Sequence, residues 1–174
     1  MSIRVRPATA ADMAAVARIY DHYVLHTPTT FDTEPKTAEA WQESWRRDVV
    51  EGPYLFLAGE YDGAVVAFAH TGQFHIRCAY RTSITVSVYC APDRTGLGLG
   101  PALYERLFGE DLPHTDFHKV YAGITQPNEA SVKLHERFGF VREGLFTEVG
   151  RKFDQWHDVA WYAKTLPPGH SPRT

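Results

Sequence analysis

The chain has 174 residues, 44% apolar and 22% charged, with 18 Lys and Arg against 21 Asp and Glu for a formal net charge of -3. That length and apolar content suit one globular domain with a sizeable core, and the slightly acidic balance argues against a nucleic-acid binder, which carries a basic face. No apolar run is long enough to span a membrane, the N-terminal stretch lacks the apolar centre of a signal peptide, and Cys78 and Cys90 are too few for a disulfide scaffold, so two buried thiols in a reducing cytoplasm are expected.

Ile3 and Val5 predict a short opening strand. Thr9 and Asp12 are spaced as a helix N-cap with its reciprocal acid at N3, and Met13, Val16, Tyr20, Tyr23 and Val24 follow at helical spacing. Thr27-Pro28-Thr29-Thr30 ends that helix, Phe31 to Pro35 reads as a loop, and a second amphipathic helix runs through Trp41 and Trp45. Gly52-Pro53 opens a β-rich stretch in which strands over 54–61 and 64–74 flank Asp62-Gly63, a strong hairpin signal. A strand over 82–91 leads through Thr95-Gly96-Leu97-Gly98-Leu99-Gly100-Pro101 into a helix that stops at Gly109. A strand over 118–125 precedes a helix over 130–138 capped by Gly139. Two closing strands, 140–149 and 156–166, flank a turn containing Gly150, and residues 167–174 read as a frayed tail outside a domain of residues 1–166. The order βααβββαβαββ is an α/β arrangement with a mixed sheet around one packed core. It lacks the strict alternation of a dinucleotide-binding fold.

Gly96, Gly98 and Gly100 follow a strand and precede a helix. Glycine lets backbone N–H groups approach a phosphate closely, and a helix N-terminus adds partial positive charge, so a pyrophosphate can sit on these amides. A flexible turn is the plainer alternative. Pro101 removes one donor, no Lys-Ser/Thr pair completes a Walker motif, and the acidic residue of a Rossmann fingerprint is missing.

Ser87 to Asp93, followed by Gly-x-Gly-x-Gly and Ala102-Leu103-Tyr104, resembles the acyl-CoA-binding core of the GNAT N-acetyltransferase superfamily, and Asn128 to Phe140 resembles its second cofactor motif. More narrowly, Thr30 to Pro35, Arg77 to Arg81 and Gly150 to Val159 resemble the phosphinothricin and methionine sulfoximine N-acetyltransferases. The resemblance implies a mostly antiparallel mixed sheet with helices on both faces and two strands splayed at the acyl-CoA site. It also implies direct acetyl transfer from acetyl-CoA to the amine of a small amino-acid-like substrate, by a homodimer that involves neither nucleic acid nor membrane. His70, His75, His114 and His118 show no Cys or Asp partner pattern, so no metal is expected.

By resemblance, the pantetheine arm pairs with Val88, Tyr89 and Cys90, the pyrophosphate lies on the amides of Gly96, Gly98 and Gly100, and a backbone N–H near Val88 or Tyr89 polarises the thioester carbonyl. Asn128 and Ser131 are cofactor candidates, with an N-cap and an exposed helical serine as their structural alternatives. His135 stands where relatives have Tyr or His near the sulfur and can relay a proton; the alternative is a surface histidine on an amphipathic helix. Phe31 and Glu34 belong to the loop that caps the family's site. Arg77 can pair a substrate carboxylate or be a solvated strand-end charge, and Tyr80, Tyr89 and Trp156 are candidates for the pocket wall. Two positions depart from the family. Thr95 stands where its loop begins with Gln or Arg, leaving Arg94 as the nearest charge, and Thr85 stands where the herbicide-detoxifying relatives carry a glutamate. Threonine cannot be a base at neutral pH, so the amine loses its proton to a water held by Thr85, to His135 or before binding, with Glu34 swinging in from the capping loop as the competing base. The same departures motivate a non-catalytic acyl-CoA sensor as the rival reading, with protein N-terminal acetylation as a further enzyme alternative.

Overall fold

The computed structural model describes residues 2–168, so most of the tail expected over 167–174 lies outside the described residues. The chain opens with β1 (Ile3–Pro7) and enters α1 (Met13–His26) through a 3-10 turn at Ala10–Asp12. The predicted cap forms: Thr9 N donates to Asp12 Oδ2 at 2.7 Å, and the Thr9 hydroxyl donates to the same oxygen at 2.9 Å. Arg6 grips both Asp12 oxygens at 2.7 and 2.8 Å and reaches Glu60 Oε1 at 2.7 Å. That guanidinium holds the Asp12 carboxyl down to about 2 and ties the first strand to the first helix. Met13, Val16, Tyr20 and Val24 form the buried face of α1, and α2 (Ala38–Trp45) starts at Thr37, whose hydroxyl accepts from Ala40 N at 3.2 Å.

Six further strands follow: β2 (Phe56–Tyr61), β3 (Ala64–Gln73), β4 (Ser83–Cys90), β5 (Lys119–Thr125), β6 (Val141–Lys152) and β7 (Gln155–Thr165). They join β1 in one seven-stranded sheet of order β1-β2-β3-β4-β5-β7-β6, in which β4 and β5 are parallel and the other neighbours antiparallel. Asp62 and Gly63 turn the β2–β3 hairpin at φ 49 and 85, as their residue types predict. Helices α3 (Leu99–Arg106) and α4 (Glu129–Arg137) lie on the face opposite α1 and α2.

Where one packed core is predicted, the apolar residues form two layers, because a sheet whose strands alternate apolar side chains must be covered on both faces. Met13, Val16 and Trp41 pack on Ala58 and Phe68 on one side, and Leu99, Leu103 and Tyr104 pack on Leu57, Ile84 and Val86 on the other. Each fully buried Val, Leu, Ile, Phe or Met side chain among these contributes roughly 1.5–3 kcal/mol. The helix expected to stop at Gly109 runs on as one wider turn, Leu107–Asp111, where the burial of Leu107 and an Arg106–Asp111 contact of 3.0 Å outweigh the low helix propensity of glycine. Gly150 is not in the closing turn either. It lies within β6 opposite His157, and the turn falls at Phe153 and Asp154, both at positive φ. A Cβ at Gly150 would stand 2.1 Å from Phe31 Cε2, so this glycine makes room for a ring from a distant loop. Cys78, expected to be buried in a strand, is exposed on a 3-10 turn where the chain leaves the sheet between β3 and β4, while Cys90 is half-buried. Among the described residues no helix is long and apolar enough to cross a membrane.

Candidate active site

β4 pairs with β3 from Ile84 to Cys90 but with β5 only at Ser83, Ile84 and Thr85. Beyond the Thr85–Tyr121 pair the two parallel strands separate, and a cleft of about 40 Å³ opens between residues 86–89 and 122–125. Peptide groups alternate sides along a strand. His118 N donates to Thr82 O on the β5 side at 2.8 Å, and Ala91 N donates to Val66 O on the β3 side at 2.7 Å. Even-numbered residues of β4 therefore turn their peptide groups toward β5, which leaves the Val88 N–H facing the gap and turns the Tyr89 N–H away from it. The Cys90 carbonyl, on the same side as Val88, accepts from the Tyr23 hydroxyl at 2.6 Å.

On the α3 face the cleft runs into a groove of about 580 Å³ between the glycine loop and α4, and Thr29, Val88, Asn128 and Ser131 border both spaces. Arg94, Thr95, Gly96, Gly98 and Gly100 line the groove. Gly96 and Gly98 sit at φ 77 and 87, a left-handed backbone cheap only for glycine, and Gly98 is the N-cap of α3. A Cβ at Gly96 would meet nothing within 4 Å, so this stretch of main chain is open to a ligand, and the N-terminus of α3 favours an anionic one. Gly100 has a different reason: a Cβ there would lie 3.3 Å from Leu134 Cδ2, so its bareness lets α3 pack on α4. Arg94 pairs with Asp93 at 3.3 Å, and the Thr95 hydroxyl makes only a long contact to Pro92 O at 3.4 Å. Asn128 Oδ1 accepts from Ser131 N at 3.1 Å, so the N-cap alternative is realised at the groove's edge. Burial pushes the Cys90 thiol up to about 11, which keeps it protonated at neutral pH.

His135 borders the cleft and is 3% exposed, not the surface histidine of the alternative reading. Its Nδ1 lies 2.8 Å from the Ser131 carbonyl, which only accepts, so Nδ1 carries the proton and Nε2 accepts from the Tyr104 hydroxyl at 2.9 Å. Both ring nitrogens are engaged, and burial lowers the imidazole pKa. Across the sheet, Ser87 and Tyr89 border both the cleft and a cavity of about 240 Å³ that also meets Asp32, Lys36, Trp41 and His70. Burial holds the His70 imidazole down to about 4 and pushes the Tyr89 phenol up to about 12. The cleft thus joins a groove on one face of the sheet to a cavity on the other. Thr85 stands where the splay begins, on the Ser87 and Tyr89 face, with its Oγ1 3.3 Å from where a Cβ of Gly72 would be.

The remaining acceptor-side candidates are dispersed. Phe31 lies on Gly150, with its ring 6.2 Å from that of His157, whereas Glu34 is exposed and borders none of these spaces. Arg77 and Tyr80 are exposed on the β3–β4 connection, with the Tyr80 ring 4.8 Å from His75, and Trp156 is exposed at the start of β7. Sequence reasoning missed Asp32, which accepts from the Tyr20 hydroxyl at 2.8 Å, and Lys152, which is buried beneath the same loop. The one available signal was the pair of tyrosines on the apolar face of α1, since a buried phenol needs a partner for its hydroxyl.

A family model described as an acetyltransferase (GNAT) domain matches residues 5–161. The chain belongs to the GNAT acetyltransferase family. As a GNAT acetyltransferase it uses acetyl-CoA as its co-substrate, and its mixed sheet with splayed β4 and β5 is the expected fold. It is similar to a phosphinothricin N-acetyltransferase of Streptomyces coelicolor, 43% identical over 94% of this chain and 96% of that one. It is 34% identical to an L-methionine sulfoximine/L-methionine sulfone acetyltransferase of Salmonella typhimurium, over 97% of both chains. A phosphinothricin acetyltransferase from Sinorhizobium meliloti, solved in complex with acetyl-CoA, matches with a TM-score of 0.90 and 29% identity, covering 99% of this chain and 93% of that one.

Proposed function

We propose that this GNAT acetyltransferase, with residues 1–166 as its acyltransferase domain, acetylates the amine of a small amino-acid-like substrate of the phosphinothricin or methionine sulfoximine type, in the cytoplasm. The observation that carries the reading is the Val88 N–H, left unpaired by the splay at the point where the groove meets the cleft. When bound, acetyl-CoA supplies the acetyl group as a thioester. The amides of Gly96, Gly98 and Gly100 and the charge of Arg94 hold the pyrophosphate, Thr95 contributing backbone more than side chain. Val88 and Cys90 offer main-chain partners to the pantetheine arm, flanked by Asn128 and Ser131, and the Val88 N–H donates to the thioester oxygen as negative charge develops there. Of the two amides the sequence leaves open, the alternation of β4 favours Val88 over Tyr89.

The acceptor enters from the opposite face, past Ser87 and Tyr89, beneath the loop carrying Phe31. Thr85 holds the water that takes the amine proton, because its hydroxyl both donates and accepts; the C–N bond forms as the C–S bond breaks, and that proton ends on the departing CoA thiolate. His135 serves the cleft as a neutral, fixed ring, since its two nitrogens are already bonded. Arg77 and Tyr80 reach substrate from the β3–β4 connection, completed by a second subunit. A homodimer is supported by the apolar residues exposed along β6 and the turn after it, Leu145, Phe146, Val149 and Phe153, on a strand at the sheet edge.

The test is isothermal titration with acetyl-CoA, followed by mass spectrometry of L-methionine sulfoximine, L-phosphinothricin and a whole-protein fraction incubated with labelled acetyl-CoA. Saturable cofactor binding and label on the amino acids is the expected result. Label confined to protein would overturn the substrate class, and cofactor binding without any transfer would favour a sensor. Sedimentation at working concentration should give a dimer; a monomer refutes the shared site.

A further inference from the structure

The loop between α1 and α2 touches both halves of the site. Thr29 borders the groove and the cleft, and Asp32 borders the cavity on the other face. Between them lies Thr30, which is buried. Its hydroxyl is 2.6 Å from the Tyr20 hydroxyl, which also donates to Asp32 Oδ2 at 2.8 Å. Its carbonyl accepts from Lys152 Nζ at 2.8 Å, and the same ammonium donates to Tyr23 O, in the last turn of α1, at 3.3 Å.

Lys152 is the last residue of β6 and is 5% exposed. No carboxylate pairs with it among the described residues; its contacts are the two carbonyls and the face of Phe153 at 5.2 Å. A desolvated ammonium without an ion pair is costly, so its net contribution to stability is small or adverse. Burial lowers its pKa, with the charge of Asp32 opposing. What the ammonium supplies is geometry. Two residues upstream in β6, Gly150 receives the ring of Phe31, so Thr30 and Phe31 are seated side by side on one strand end.

We propose that Lys152 is a positioning residue: its ammonium fastens the Thr30 carbonyl to the end of β6, and so sets where Phe31 and Asp32 meet the acceptor. The kinetic part of this inference rests on the functional reading above; the structural part does not. Lys152→Met keeps the apolar stem and removes the donors, leaving the Thr30 carbonyl unpaired. In the full-length protein, hydrogen exchange of residues 28–33 should accelerate while the β-strand amides keep their protection. With L-methionine sulfoximine as the probe, its KM should rise about tenfold or more, the affinity for acetyl-CoA should stay within about threefold, and kcat should fall less than KM rises. Lys152→Arg, which restores donors, should recover part of the loss, and should do so without raising the melting temperature if the role is positional. Unchanged exchange in the loop, or equal losses of both ligands together with global loss of protection, would overturn the inference. If the wild type does not acetylate methionine sulfoximine at all, the functional reading fails, and the exchange data alone decide the role of Lys152.

Discussion

Gly150 and Phe31 provide a double-mutant cycle whose sign can be worked out beforehand. A Cβ at Gly150 would lie 2.1, 2.3 and 2.6 Å from three carbons of the Phe31 ring, far inside carbon–carbon contact of about 3.5–4.0 Å. Gly150 itself sits in ordinary strand geometry, not at positive φ, so alanine costs the backbone nothing and gains about 0.5–1 kcal/mol over glycine. Phe31 is already 37% exposed, so expelling its ring forfeits roughly two-thirds of a full phenylalanine burial, about 1–2 kcal/mol. Gly150→Ala should therefore be mildly destabilising in the wild type but neutral to stabilising in a Phe31→Ala background. The coupling between the two sites should be about 1–2 kcal/mol. Urea unfolding of the four proteins measures it, and acceptor KM should rise in both single variants without a further rise in the double. Additivity within about 0.5 kcal/mol would refute the contact.

Gly98→Ala should cost about 1–2 kcal/mol through its left-handed backbone alone, since the new Cβ would meet only Ile3 Cδ1 at 3.8 Å; a fall of several degrees in melting temperature with weaker acetyl-CoA binding by titration is expected, and unchanged affinity would mean the phosphate cradle is misplaced. His70, held neutral by burial with its pKa down at about 4, stabilises the fold above its unfolded pKa and loses that contribution as pH falls toward the folded value. Chemical denaturation at about pH 7.5 and 5 should thus show wild type losing about 2 kcal/mol more than His70→Gln; equal losses would mean the imidazole is hydrated. For the proton on the acceptor amine, kcat/KM should rise with pH over about 6 to 9, Thr85→Glu should increase turnover at neutral pH, and Glu34→Gln should leave the profile alone. A flat wild-type profile abolished by Glu34→Gln would move the base to Glu34.

The parts of the fold legible in the sequence are those written within a few adjacent residues. Thr9 and Asp12 bond each other across one turn, and Asp62-Gly63 supplies two residues that tolerate positive φ. The apolar spacing of Met13, Val16, Tyr20 and Val24 marks the face that α1 buries. The misplaced features depend on distant partners. Gly150 looks like a turn residue until the Phe31 ring is brought onto it, and Gly109 looks like a stop until Leu107 is buried beneath its turn. Cys78 looks like a strand cysteine because its neighbours are apolar, yet the chain there spans the gap between β3 and β4 outside the sheet.

The site divides along the same line. The groove proposed for the cofactor is written in two local stretches, β4 through the glycine loop into α3 and the start of α4, and Val88, Gly96, Gly98, Asn128 and Ser131 all line it. The acceptor half proposed above draws on the α1–α2 loop, the β3–β4 connection and the end of β6, which lie far apart along the chain, and no local pattern states how they would meet. Lys152 illustrates the difficulty: a lysine in a strand reads as a solvated charge, and only the carbonyls of Tyr23 and Thr30 reveal it as a fastener. The chemistry follows from joining the halves through the splay. Cys90, the nearest nucleophile by type, is kept as a thiol by burial, and His135 has both nitrogens bonded, so neither is poised to carry the acetyl group between the two faces. Neither therefore competes with the direct transfer proposed above, in which the Val88 N–H faces the gap and the hydroxyl of Thr85, where the splay begins, holds a water for the departing proton.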